Sequence, residues 1–304
     1  MLQQRHTAAR VISRSAVSAN IQTMQQLAAN VDTALAEFRQ DCRAGRFKLD
    51  PARLVARVDE WLRTDEPEYL DRTDVPDERK RGIMSGLHRF NRTVFAYKRF
   101  MKALQPLITR VHQQEQRPVR MLELASGGGD FTLELARQAA RRELPVSITG
   151  SDYVAAHVED ANEKARRAGI SVDFRVVNAF DMGTIEPGEF DIVFIIQTMH
   201  HFSAGQLAMM MNQARQVAGY AFVGIDGYRS LQLFGLMPLM AIINPKRDFL
   251  HDSFISIRRM YSEPELAYIA SLAVPGSPVR TFSLHPGYSG LEIDCRAEHS
   301  QSVT

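Results

Sequence analysis

Glu123, Ala125, Gly127, Gly128 and Gly129 fall within one ten-residue stretch, LELASGGGDF (122–131). Consecutive glycines strip the main chain of β-carbons, so a ligand can lie directly on the backbone. A carboxylate beside such a stretch attracts a cation and repels a phosphate. Asp152 closes a strand-like run, VSITGSDY (146–153), about two dozen residues after Gly129. An acid in that place can accept hydrogen bonds from both hydroxyls of a ribose. Asn178 and Asp181, near the end of SVDFRVVNAF and just beyond it, can each reach an adenine amino group. Further on, TMHHF (198–202) sets His200 beside His201. Imidazole titrates near neutral pH and suits removal of a proton from a reacting hydroxyl or amine. The bland alternative is that both rings are satisfied loop or core residues. In FLHDSFISIRRMYSEPEL (249–266), Asp252, Arg258 and Tyr261 are candidates to orient the polar end of a second ligand. Arg258 and Arg259 are neighbours, so only one faces a pocket if this segment is extended.

The elements that must carry these residues alternate. VRMLELAS, VSITGSDY, SVDFRVVNAF, EFDIVFIIQTMHHF and YAFVGIDGY read as buried strands. Between them FTLELARQAARR, AAHVEDANEKARRAG and SAGQLAMMMNQARQVAG have helical period. Gly169 is placed to end the second of these helices, and Ser203 to cap the start of the third. Strands and helices alternating at this length predict right-handed crossovers and a parallel sheet covered on both faces. SEPELAYIASL then predicts a helix, and VRTFSLHPGYSGLEIDCR two strands about a Pro-Gly turn, hence an antiparallel edge. The fold expected is α/β: a doubly wound, mostly parallel seven-stranded sheet with a terminal antiparallel hairpin. On an open parallel sheet the ligand sits at the carboxyl ends of the strands, where Glu123, the glycines, Asp152 and the histidines all fall.

Residues 1–115 differ in character and read as an α-helical N-terminal region, followed by an α/β domain over 116–297. Helical period runs through IQTMQQLAANVDTALAEF and ARLVARVDEWL; EPEYLDRTDVPDE (66–78) reads as a loop. A long helix or two follows, with a break expected near Pro106. These helices are expected to cap a pocket or to form a homodimer contact. The net charge of +2 over 304 residues gives no footprint for nucleic acid or an anionic membrane. Two distant cysteines, Cys42 and Cys295, form neither a disulfide framework nor a zinc pattern, and point to a reducing cytoplasm. The N-terminus lacks the apolar core of a secretory signal, and the longest apolar run, LFGLMPLMAII (233–243), is too short to span a bilayer. That Met-rich run suits either a pocket for a flat, apolar compound or a packed core helix. No metal is expected, because His200 and His201 are neighbours with no acid pair beside them at the strand ends.

The stretch LELASGGGDF resembles motif I of class I S-adenosylmethionine-dependent methyltransferases, with Ala125 in place of the usual first glycine, a variant similar to that of ubiquinone/menaquinone-type enzymes. GSDYV resembles the ribose-binding motif, VVNAFDM the adenine-side motif and FDIVFIIQTMHHF the fourth-strand motif. The resemblance implies S-adenosylmethionine as cofactor. Glu123 is then placed toward its amino end, Gly127 to Gly129 with Ala125 under the methionine part, Asp152 and Tyr153 at the ribose, and Asn178 and Ala179 at the adenine. Gln197 closes the fourth strand beside the sulfonium, and His201 or His200 is the candidate base. The motifs say little about the acceptor; the apolar, Met-rich insert after the fifth strand points to a small, partly apolar molecule bearing a hydroxyl, amine or activated carbon, whose polar end Arg258 and Tyr261 would hold. Two departures stand out: Asn178 occupies a position where an acid is common, and the usual Pro-Gly-Gly turn before the fifth strand is absent. A nicotinamide-dependent dehydrogenase is the rival dinucleotide reading. Its third glycine would fall at Thr132, and a strand carboxylate would repel its pyrophosphate. An RNA or protein methyltransferase and a non-catalytic cofactor-binding scaffold are the remaining alternatives.

Overall fold

The computed structural model describes residues 23–44 and 61–296. Its centre is one seven-stranded sheet in the order β3-β2-β1-β4-β5-β7-β6. The strands are β1 (Val119–Leu124), β2 (Val146–Asp152), β3 (Asp173–Val176), β4 (Phe190–Ile196), β5 (Ala218–Gly227), β6 (Val279–Leu284) and β7 (Tyr288–Asp294). The first five are parallel, and β7 runs antiparallel to both β5 and β6. The doubly wound sheet with an antiparallel end is therefore as the sequence predicts. Order reverses between β1 and β4, and the strand ends there carry Glu123 and Gln197.

Helices α1 (Met24–Ala44), α2 (Asp77–Thr93) and α3 (Ala96–Glu115) precede the sheet. The crossovers are α4 (Asp130–Arg141), α5 (Ala155–Ala168) and α6 (Ala204–Val217). After β5 come the short α7 (Leu231–Phe234) and α8 (Met237–Ile243), then α9 (Arg247–Arg259) and α10 (Glu263–Ala273). Ser203 caps α6 in a reciprocal capping box with Gln206, and Gly169 ends α5 in the left-handed conformation.

Two apolar layers clamp the sheet because every residue of β4 is buried and alternate side chains face opposite ways. Ile192, Phe194 and Ile196 pack with Phe100, Leu104 and Ile108 of α3 and Phe131 of α4. Val193 and Ile195 pack on the other face with Leu27 and Val31 of α1, and with α6 and α10. The N-terminal helices α1 and α3 are thus structural parts of the two layers. Pro106 does not break α3, which runs through it from Ala96 to Glu115. Burial of Leu104, Leu107, Ile108 and Val111 on the sheet face outweighs the one backbone hydrogen bond that proline forfeits, a loss of about 3 kcal/mol. The break lies earlier, at Phe95, whose φ of 55° is left-handed. Among the described residues no helix is long and apolar enough to cross a membrane.

Candidate active site

The loop from β1 to α4 carries Ala125 (φ 51°), Gly127 (φ 54°) and Gly129 (φ 75°), all left-handed. Gly127 and Gly129 are bare for different reasons. A β-carbon on Gly127 would come no nearer than 3.8 Å to the tip of Met84 on α2, whereas one on Gly129 would strike the Phe174 ring at 2.6 Å. Gly127 is thus open toward a ligand, and Gly129 lets α4 close on β3 and α5. Ala125 pays the left-handed penalty with a real β-carbon, a strain of the kind held at functional loops.

Glu123, 3% exposed, stands on β1 and accepts a 2.5 Å hydrogen bond from Thr132 Oγ1 of α4. Burial pushes its carboxyl up to about 8, and the Thr132 bond only partly opposes this. Asp152 ends β2 with Oδ2 accepting from the Gly127 amide at 2.9 Å and Oδ1 from the Val154 amide at 2.9 Å. Burial pushes this carboxyl up, but His157 and the two amides outweigh it and hold it below the ordinary range. Tyr153 follows, with its side chain exposed. Asn178 lies two residues beyond β3, not within it, in an isolated bridge with Asp181, and its Oδ1 accepts from the Phe180 amide at 3.0 Å. Ala179 sits between them, packed against the α6 layer. Gln197, left-handed at φ 55°, follows β4. Its side chain accepts from Asn91 Nδ2 of α2 at 2.7 Å, which ties α2 to the sheet edge.

Beside Gln197 a cavity of about 400 Å³ opens between the sheet, α2 and α7 to α9. Ile83, Leu87, Phe90, Leu233, Leu236 and Met240 give it apolar walls. One end is polar, formed by Glu68, His200, His201, Asp226 and Asp252. The histidines lie on a 3₁₀ turn (Met199–His201) after β4. Asp226, near the end of β5, accepts from the His200 amide at 3.0 Å and contacts His200 Nδ1 at 2.8 Å. His201 Nδ1 contacts Asp71 Oδ1 at 2.8 Å. Burial alone would lower His200, but Asp226 and then Glu68 outweigh it and hold the ring at about 9. Both Nε2 atoms turn toward Glu68, 1% exposed, at 3.5 and 3.9 Å.

Arg258 and Tyr261 do not line the cavity, contrary to the sequence expectation. The segment is helical, not extended. Arg258 Nε donates to the Leu62 carbonyl at 2.9 Å, and the Tyr261 hydroxyl donates to the Phe202 carbonyl at 2.8 Å beneath the α1 layer. Arg259 is the one turned inward, against Asp71 and Glu68. Asp252 lines the cavity but is already engaged: it accepts from the amides of Tyr69 and Leu70 and so holds the Glu68 segment in place. Sequence reasoning missed Glu68, Asp71 and Asp226, Thr132 as the partner of Glu123, and Asn91 as the partner of Gln197. The apolar LFGLMPLMAII run was the legible signal, since its Leu233, Leu236, Leu239 and Met240 line the cavity.

The fold defines a doubly wound α/β protein with its glycine loop at the topological switch point of the sheet. A family described as a methyltransferase domain matches residues 121–219. Residues 121–219 thus carry a methyltransferase domain. The chain is 33% identical over 124 residues to a ubiquinone biosynthesis O-methyltransferase of Rhizobium johnstonii, covering 40% of this chain and 46% of that protein. It is 25% identical over 178 residues to one of Brucella anthropi, covering 56% and 66%. The chain therefore spans less than two thirds of either relative. The crystal structure of the plantazolicin methyltransferase BamL, in complex with a triazolic desmethylPZN analog and SAH, superposes with a TM-score of 0.55 at 12% identity over 88% of this chain and 99% of that one. That likeness bears on the fold.

Proposed function

We propose that the chain methylates a small, partly apolar molecule from S-adenosylmethionine, with a hydroxyl on an aromatic or polyketide-like compound as the favoured acceptor. The observation that carries this reading is the cavity beside Gln197: apolar along its length, polar at one end, and of a size that suits one small organic molecule. Glu123 and Asp152 are assigned to the cofactor's amino end and ribose, with the Ala125–Gly129 loop beneath its methionine part. The adenine falls to Asn178 and Ala179, with Tyr153 exposed at the ribose edge. The acceptor's oxygen is directed to the His200–His201 end, where its proton is lost. The cofactor is already activated, so alignment of oxygen, methyl carbon and sulfur supplies most of the catalysis. The aligned relatives are named as O-methyltransferases, which supports oxygen as the acceptor atom. Helix α2, whose Ile83, Leu87 and Phe90 wall the cavity, acts as its cap. A net charge of +2 favours a small molecule over RNA.

The test is incubation of purified protein with isotopically labelled methyl donor and host extract, followed by mass spectrometry. The reading expects one or a few small compounds to gain a labelled methyl on oxygen. Label found only in RNA or protein, or cofactor binding with no transfer to any acceptor, overturns it.

A further inference from the structure

One ring nitrogen of each of His200 and His201 and a Glu68 carboxylate oxygen lie within 4.8 Å of one another at the polar end of the cavity, with both Nε2 atoms turned toward Glu68. We propose that Glu68, His200 and His201 bind a divalent ion of the zinc class, which holds the acceptor's oxygen. This inference deepens the methyltransferase reading and rests on it.

Four features of the cluster support a metal. First, both histidines carry a carboxylate on Nδ1, Asp226 on one and Asp71 on the other, each at 2.8 Å. That pairing fixes which ring nitrogen is free and aims it, as carboxylates do behind metal-bound histidines. Second, the spacing suits ligands of one ion. The 3.5 Å between Glu68 Oε1 and His200 Nε2 is long for a hydrogen bond. Two metal bonds of about 2.1 Å at a tetrahedral angle span roughly 3.4 Å. Third, Glu68 is 1% exposed, yet its Oε1 makes no hydrogen bond among the described residues. A buried carboxylate oxygen left so is costly, and a cation removes the cost. Fourth, the charge is unbalanced. Glu68, Asp71 and Asp226 meet one guanidinium, Arg259, which pairs chiefly with Asp71 and stands 3.5 Å from Glu68. An ion displaces the proton that His200 otherwise holds, and with both imidazoles neutral two negative charges remain, matching a divalent ion.

Two imidazoles and one carboxylate are a borderline donor set with open positions, and the cavity supplies room for a fourth ligand. The acceptor's hydroxyl fills it, and the ion lowers that hydroxyl's pKa. Its proton passes to solvent. The oxygen then forms a bond to the methyl carbon as the carbon–sulfur bond breaks. The bonding pair stays on sulfur, and the sulfonium becomes a neutral thioether. In this arrangement the two histidines are ligands, and the ion performs the task assigned to an imidazole base from sequence.

The experiment is calorimetric titration of Zn²⁺ into chelator-treated protein, with Co²⁺ absorption as a spectroscopic readout and S-adenosylmethionine titration as the control. The expected result is one ion per chain at micromolar affinity or tighter, and Co²⁺ bands of a low-coordinate nitrogen–oxygen site. Glu68→Gln should abolish the bands and weaken zinc at least 30-fold, and Asp71→Asn should weaken it about 10-fold. Both variants should bind S-adenosylmethionine within threefold of the parent protein, which also reports that they fold. No stoichiometric zinc, or zinc binding unchanged in both variants, overturns the site while leaving the methyltransferase reading intact. Failure of the parent protein to bind S-adenosylmethionine overturns that reading instead, and the inference with it.

Discussion

Neutralising Glu123 isolates the electrostatic core of the proposed cofactor site. Its carboxyl is buried and raised to about 8, with a single hydrogen bond from Thr132. At pH 7 roughly ten in eleven molecules carry the proton, and removing it costs about 1.4 kcal/mol. A cationic amino end arriving beside Glu123 draws that proton off. Binding of S-adenosylmethionine at pH 7 should therefore release about 0.9 proton, and affinity should rise about ninefold between pH 6 and pH 7. Glu123→Gln keeps the side chain's shape and its Thr132 partner but cannot ionise. It should bind at least tenfold more weakly at pH 7.5, with no proton release and no rise with pH. Calorimetry in two buffers of different ionisation enthalpy reads the proton directly. The same group sets a stability trend in the free protein. Its pKa is higher folded than unfolded, so its contribution is full below about pH 4.5 and is lost as pH rises through 8, by roughly 5 kcal/mol at most. Glu123→Gln should flatten that decline. Equal heats in the two buffers, or a variant that binds like the parent, would refute the assignment of a positive ligand to Glu123.

Other outcomes follow from single contacts. Asp152→Ala removes the carboxylate that ends β2 and should weaken S-adenosylmethionine at least 30-fold by calorimetry, with the circular dichroism spectrum retained. Ala125→Gly relieves a left-handed alanine and should raise unfolding stability by about 1 kcal/mol in a denaturant titration, with the cofactor still bound. Gly150→Ala would set a β-carbon 2.2 Å from the Phe174 ring and should lower stability by about 1–3 kcal/mol. Arg258→Ala should leave turnover within twofold, because that guanidinium bonds the Leu62 carbonyl outside the cavity.

What was legible in the sequence was what local pattern encodes. An unbroken apolar run marks β4 as central and buried on both faces, and Ser203 and Gly169 are read from cap chemistry alone. The left-handed loop from β1 to α4 is legible too, since consecutive glycines beside an acid are written in one stretch. The polar end of the cavity was not. Glu68 meets His200 only because Asp252, far downstream, holds the segment bearing it. No short-range pattern records that meeting, so the histidines looked ligand-poor. Helix α9 was obscured because its buried face, Phe249, Asp252, Ser253 and Ile257, has helical spacing but two polar members. An apolar count misses such a stripe. Pro106 misled for the opposite reason: a strong local breaker lost to the packing of α3 on the sheet.

The most direct measurement of the central claim is a pair of calorimetric titrations at pH 7.5, one with S-adenosylmethionine and one with NAD and NADH. A sulfonium nucleoside held beside a strand carboxylate and open main chain should bind at micromolar concentration, and the nicotinamide coenzymes should neither bind nor displace it. Saturable binding of NAD or NADH in the same cleft, with S-adenosylmethionine giving no heat, would contradict the account.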